Sequence, residues 1–283
     1  MGSLVAALGS YLNVHQAHGI WLVRIDDIDQ PRSVTGIDQH ILDTLAAHGL
    51  ESDEPIRYSN QHAEDYQSAY RRLEELGVLF PCSCSRQTVR QTQAMSGNTL
   101  IYNGRCRLGA DPNKPLRSFR IPVPDHPIAF EDDLQGNQVD DLGISVGDFV
   151  IKRIDGQFAY QLATVVDDHL QKITQVVRGC DLLPSTGRQI LLQRSLGYSP
   201  PNYLHLPTVV DRDHEKLSKQ QGATAIDRKQ ASKNLFLALQ LLLQSPPKTL
   251  ALESPTTIIR WAIQHWQTTP LTMKRRVILS TEN

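Results

Sequence analysis

Alternation of helical and extended segments limits the folds open to this chain more than any other feature. From Ser3 onward Leu4, Val5, Leu8, Tyr11 and Leu12 recur at helical spacing over about 3–18, and Gly19 is placed to end the run. The extended segment WLVRI (21–25) follows. A helix near 36–48 stops at Gly49, and Ser59 or Asn60 is placed to cap a helix through AEDYQSAYRRLEEL that stops at Gly77. Such an order predicts a parallel sheet with covering helices. A helix that feeds a strand is also the second half of a β-α-β unit, so a strand is expected ahead of it.

The pattern breaks between 81 and 147, where cysteines, prolines and the turn-rich EDDLQGNQVDDLG predict a hairpin-bearing insertion. Alternation resumes with DFVIKR (148–153), then FAYQLATVVDDHL, ITQVVRG and a helix near 186–196. YLHLPTVVD leads into a polar loop, RDHEKLSKQQGAT, and two helices follow, ASKNLFLALQLLLQ and TTIIRWAIQHWQ. The expected division is 1–80 and 148–225 as two halves of one catalytic domain, 81–147 as the insertion, and 226–283 as a helical C-terminal subdomain.

Composition excludes some classes of function. A net charge of −1 over 283 residues means that any RNA contact has to use local basic patches. The longest apolar run, 235–243, contains a glutamine and falls far short of the roughly 18 residues of a membrane span. The start carries neither a basic n-region nor a cleavage-like stretch, which predicts a cytoplasmic protein. Four cysteines in such a chain read as reduced thiols or metal ligands rather than disulfides.

Three stretches could carry chemistry. KLSKQ (216–220) could set Lys216 and Lys219 around a polyphosphate, where transfer chemistry needs positive charge; a solvated loop is the plainer explanation. In RIDDIDQPR (24–32), Arg24 and Asp26 face the same way at a strand end where open α/β sheets bind ligands, although turn-forming aspartates before Pro31 would look the same. Cys82, Cys84 and Cys106 crowd into 25 residues, as zinc ligands would; Tyr102 could add an oxygen, and the competing account is three small core residues. Tyr160 sits among apolar residues on a predicted helix, and Arg178 ends the strand ITQVV. Cys180 and His205 read as packed residues, and His169 is left without a role.

The ordered set GSLVAALGSYL, WLVRIDDIDQPR, CSCSR…YNGRC, FAYQLATVVDDH, VVRGCDLL, YLHLP and KLSKQ resembles the class I glutamyl-tRNA synthetase family across residues 2–220, and more closely its short glutamyl-Q tRNA(Asp) branch. The resemblance implies a Rossmann-like parallel sheet interrupted by a zinc-binding insertion, with a short helical C-terminal subdomain. It implies that Lys219, supported by Lys216, contacts ATP phosphates, and that Tyr160, Arg178 and Asp26 hold glutamate. Asp26 stands where the family carries glutamate. Cys82, Cys84, Tyr102 and Cys106 match its zinc set. Gly2 and Ser3 match the last two positions of an ATP-binding His-x-Gly-Ser motif.

The strand with the family's Arg-Phe-Ala-Pro-Ser-Pro-like segment, and the motif's histidine, would precede Met1. The expectation is that the chain begins inside that motif, with an upstream start supplying the rest, and that as it stands it is catalytically crippled. The implied reaction is ATP- and Mg2+-dependent activation of glutamate, then transfer to the queuosine base of tRNA(Asp), by a monomer. A catalytic fragment that charges the tRNA 3′ end, or a non-catalytic binding remnant, are the alternatives.

Overall fold

The computed structural model describes residues 1–28, 35–91, 95–96, 99–215 and 225–279. In chain order they begin with α1 (Gly2–Gln16), β1 (Arg24–Ile25), α2 (Ile37–Ala47), β2 (Arg57–Tyr58), α3 (Ala63–Glu75), β3 (Phe80–Cys82), α4 (Arg86–Gln91), β4 (Met95–Ser96) and β5 (Thr99–Leu100). The middle holds β6 (Ser118–Ile121), β7 (Ile128–Asp132), β8 (Gly136–Asp140), α5 (Leu142–Ser145), β9 (Phe149–Arg153), α6 (Tyr160–Leu170) and β10 (Gln175–Gly179). Then come α7 (Thr186–Leu196), β11 (Asn202–Leu206), β12 (Thr208–Val210), α8 (Ala231–Leu241), α9 (Pro255–His265) and β13 (Arg276–Ile278).

Parallel pairing occurs where the alternation predicts it, β1 beside β2 and β10 beside β11, but the two pairs do not merge into one sheet. β11 pairs instead with β7, Tyr203 opposite Asp132, and β7 turns back antiparallel into β8. The order is β10-β11-β7-β8, so the sheets are mixed rather than wholly parallel. The turn-rich hairpin expected in a separate insertion therefore completes the sheet that carries Arg178. A hairpin leaves an open row of backbone donors and acceptors, and β11 covers the end of that row at Asp132 of β7. β9, expected with the later half, closes an antiparallel sheet of order β3-β6-β9.

Among the described residues two large apolar cores result, beside a small cluster around Phe80. In one, Leu4, Leu8 and Leu12 of α1 pack with Leu204 and Leu206 of β11, Leu235 and Leu239 of α8 and Ile258 of α9. A Cβ at Gly9 would lie 2.6 Å from a Leu206 methyl carbon, so glycine sets how closely α1 seats on β11. The C-terminal helices expected as a subdomain share this core with the first helix, and β13 runs parallel beside β12. The other core joins α3, α6, α7 and β9 through Tyr66, Leu73, Ile151, Leu162 and Ile190.

α3 begins at Ala63, after a 3-10 turn over Ser59–His62, so neither Ser59 nor Asn60 is its cap. The Ser59 hydroxyl donates instead to Asp167.

Candidate active site

A cleft of about 580 Å3 opens at the carboxyl ends of β10 and β11, where the first turn of α1 meets them. Gly2, Ser3, Arg24, Arg178, Asp181 and Thr208 all line it. Among the expected site residues, the cleft thus brings together Gly2, Ser3 and Arg178. The N–H groups of the first turn of α1 are free of intrahelical partners and suit an anion.

Asp26 is exposed and does not line the cleft, but it pairs with Arg24, which does. Arg24 donates from Nε to Asp26 Oδ1 at 2.9 Å and from a terminal nitrogen to Asp168 Oδ1 at 2.8 Å. Burial works against the Arg24 cation, and Asp168 and Asp26 more than offset it, holding its pKa above the usual value. Burial also pushes the Asp168 carboxyl up, against the pull of Arg24 and Arg178. Its neighbour Asp167 is wholly occupied: Arg57, Ser59 and Tyr66 donate to it at 2.8, 3.0 and 2.8 Å. That acidic pair is a framework joining α6 to β1, β2 and α3. His169, the next residue, stacks on Tyr198 with ring centroids 3.6 Å apart.

Tyr160, the first residue of α6, is half-buried, and it is not among the residues on the cleft wall. Lys216 and Lys219 lie outside the described residues.

Arg178 is held from behind. Its Nε donates to His205 Nε2 at 3.0 Å, and a terminal nitrogen donates to Thr186 Oγ1 at 2.9 Å. His205 Nδ1 meets Asp132 Oδ2 at 2.5 Å, with both side chains fully buried. Reading His205 as a satisfied buried histidine is right as far as it goes. Its partner lies 73 residues away on another strand, where no local pattern points.

A second constellation stands on β3 and the turns that follow it. The sulfurs of Cys82, Cys84 and Cys106 all lie within 4.8 Å of one another. Cys84 Sγ is 3.6 Å from Cys106 Sγ, and Tyr102 Oη is 3.5 Å from Cys82 Sγ and 3.9 Å from Cys84 Sγ. Ligands at about 2.3 Å (sulfur) and about 2.0 Å (oxygen) from a tetrahedral ion stand about 3.5–3.8 Å apart, so the four atoms fit one small cation. The Arg120 guanidinium lies 4.0 Å over the Tyr102 ring and donates to Cys82 Sγ at 3.3 Å, which favours anionic ligands.

Burial pushes the Cys106 thiol up, but hydrogen bonds from Tyr102, the Ser83 backbone and the other two cysteines outweigh it and bring it down to about 7. Burial holds the Tyr102 phenol far above its usual range, and a cation among the ligands is what would draw it to the phenolate. Gly147 fixes the place of Tyr102. Its φ is +70°, and a Cβ there would lie 2.1 Å from the Tyr102 carbonyl oxygen.

Residues 1–244 match the family model described as tRNA synthetases class I (E and Q), catalytic domain. The chain belongs to that family. A glutamyl-Q tRNA(Asp) synthetase of Aromatoleum aromaticum is 44% identical over 94% of this chain and 84% of its own. One from Geobacter sulfurreducens is 44% identical over 94% and 88%, and one from Burkholderia cenocepacia 49% over 80% and 78%. Among solved structures, the glutamate-tRNA synthetase of Elizabethkingia anophelis superposes with a TM-score of 0.81 at 20% identity. That superposition covers 99% of this chain but 65% of the larger enzyme, and it establishes the shared class I α/β fold.

Proposed function

We propose that the reaction this site serves is activation of glutamate with ATP and its transfer to the queuosine base of tRNA(Asp). The observation that carries the reading is the cleft, where a fixed cation, Arg178, and the amide-rich first turn of α1 face the same space. A dicarboxylic amino acid and a nucleotide phosphate ask for that pair of features. Relatives that bear the name of this activity, at 44–49% identity, support the choice of acceptor.

In this reading Arg178 and Tyr160 hold the substrate's carboxylate end, and Asp26, steadied by Arg24 and Ser59, receives its ammonium. The amides of Gly2 and Ser3 face phosphate, and Lys216 and Lys219 offset charge on the leaving pyrophosphate. The α-carboxylate oxygen of glutamate attacks the α-phosphorus in line. A carbon–O–phosphorus linkage forms as the bond to the bridging oxygen breaks, and pyrophosphate leaves with that electron pair. A queuosine hydroxyl then attacks the carbonyl carbon, its proton passing to the departing phosphate oxygen or to water; the ester forms as the bond to that oxygen breaks and AMP departs. Mg2+ enters with ATP as part of the substrate.

The thiol constellation is read as one Zn2+ site of Cys82, Cys84, Cys106 and Tyr102. A closed set of four ligands leaves no open position, so the ion would order the insertion and take no part in the transfer. We read the chain as a cytoplasmic monomer.

The test is to charge tRNA(Asp) with labelled glutamate, cleave with nuclease and map the label. Label in the anticodon-loop fragment, labile to mild base, is expected. Label at the 3′ end would sink the queuosine reading in favour of a charging fragment, and no label with either acceptor would favour a binding remnant.

A further inference from the structure

Arg178 is the cation on which the proposed binding of glutamate turns, and the groups behind it determine which way its donors point. An arginine Nε–H can only donate, so the His205 Nε2 that meets it at 3.0 Å must be an acceptor. The Thr186 hydroxyl, 3.4 Å from the same nitrogen, accepts from Arg178 and can give its own proton to Nε2. The proton of a neutral imidazole therefore sits on Nδ1 and is donated to Asp132 Oδ2. Asp132 cannot turn away. Its other oxygen, Oδ1, accepts the backbone N–H groups of Leu134, Gln135 and His205 at 3.1, 2.8 and 3.2 Å.

The groups around the ring agree with a neutral histidine beside an ionised aspartate. Burial and Arg178 push the His205 pKa down against Asp132 and Asp181, and hydrogen bonds from His205 and the Gln135 backbone hold Asp132 below its usual value despite burial. The remaining neighbours, Tyr203 stacked at 6.1 Å and the Cys180 thiol bonded to the His205 carbonyl, bring no charge.

We propose that Asp132 and His205 are positioning residues for Arg178: Asp132 locks His205 in the Nδ1–H tautomer, and the Nε2 lone pair then aims the guanidinium into the cleft. The inference rests on the reading of Arg178 as the substrate-carboxylate contact, and it explains why a β7 residue far from the cleft in sequence belongs to the site. The discriminating variant is Asp132→Asn. Three backbone donors keep the amide oxygen where Oδ1 was, so the new NH2 group faces His205. The imidazole must then accept at Nδ1 and carry its proton on Nε2, which puts two donors head to head and displaces Arg178.

Glutamate and ATP affinities are measured calorimetrically on the full chain, with the His205 ring followed by nitrogen NMR. For the unaltered protein at neutral pH the NMR should show the Nδ1–H tautomer. Asp132→Asn should move the proton to Nε2 and weaken glutamate binding about tenfold to hundredfold, the value of one hydrogen bond to a charged group, while ATP affinity changes less than about twofold. His205→Leu should lose as much, and His205→Gln, whose Oε1 can accept from Arg178, should recover part of it.

An Nε2–H tautomer in the unaltered protein overturns the proposal, even if Asp132→Asn fails to fold. So does an Asp132→Asn protein that folds and binds glutamate normally. Failure of the site reading looks different: Arg178→Gln would then leave glutamate affinity unchanged, whatever the tautomer.

Discussion

The region around α1, α8 and α9 and the region around the thiols solve the same problem with very different means. The first buries leucine, isoleucine and tryptophan side chains contributed by both ends of the chain, with Leu8, Leu12, Leu239 and Ile258 fully enclosed. The second has, among the described residues, a buried cluster of Phe80, Cys82, Tyr102 and Cys106, with Cys84 and Val89 half-buried against them. Four side chains remove too little apolar surface from water to offset the ordering of the turns around them. On the zinc reading proposed above, the ion held by the sulfurs supplies that region's stability, whereas α1 relies on its neighbours.

The largest effect that could break this contrast is removal of the metal. Structural zinc supplies on the order of 10–16 kcal/mol of apparent binding free energy in small sites. Chelation or Cys82→Ser should therefore abolish stoichiometric zinc and open residues 83–117 to protease, with α1 and the C-terminal helices still protected from hydrogen exchange. An intact 83–117 segment without metal would end the comparison.

Next is Asp167→Asn, which strips a fully buried charge from Arg57 and Arg24. It should cost about 3–5 kcal/mol in denaturant unfolding. Leu239→Ala should cost about 2–5 kcal/mol and leave zinc content unchanged, which tests the independence of the two regions from the other side.

Gly147→Ala should cost about 1–3 kcal/mol of backbone strain and, by shifting Tyr102, weaken zinc retention in competition with a chelator. Normal retention would remove Tyr102 from the ligand set.

The smallest effect is a pH dependence that comes from the cleft rather than from either region. His205 has its folded pKa below its unfolded value, so the unfolded chain binds more protons. The contribution is full above about pH 6.5, the unfolded value, and is lost as pH falls through the folded one. Urea midpoints measured at descending pH should show it, and His205→Gln should flatten the curve.

Much of this is legible in the sequence. The periodicity of YQLATVVDDHL reads as a helix and forms α6, and the crowding of Cys82, Cys84 and Cys106 read as a ligand set, whose sulfurs do converge. Arg178 at the end of a strand read as a ligand-facing position and lines the cleft. What stayed hidden shares one physical property, a partner distant in sequence. Nothing within either segment says that β7 will lie beside β11, that Asp132 will meet His205, or that Leu8 will pack with Leu239. Periodicity records which face is apolar but not whose face covers it. The acidic pair presents the opposite difficulty: Asp167 and Asp168 look alike in sequence, and only their neighbours separate a saturated carboxylate from one that pairs with Arg24.

The seating of α1 also has a consequence in time. Its apolar face, Leu4, Val5, Leu8 and Leu12, is completed by residues of α8 and α9. At a synthesis rate of roughly 5–20 residues per second, the start of α8 leaves the ribosome about 10–40 seconds after the end of α1. For that interval the nascent chain carries an exposed, sticky helix whose partners do not yet exist. The wall of the cleft that holds Gly2 and Ser3 therefore takes its final packing only after residues more than two hundred positions later have been made.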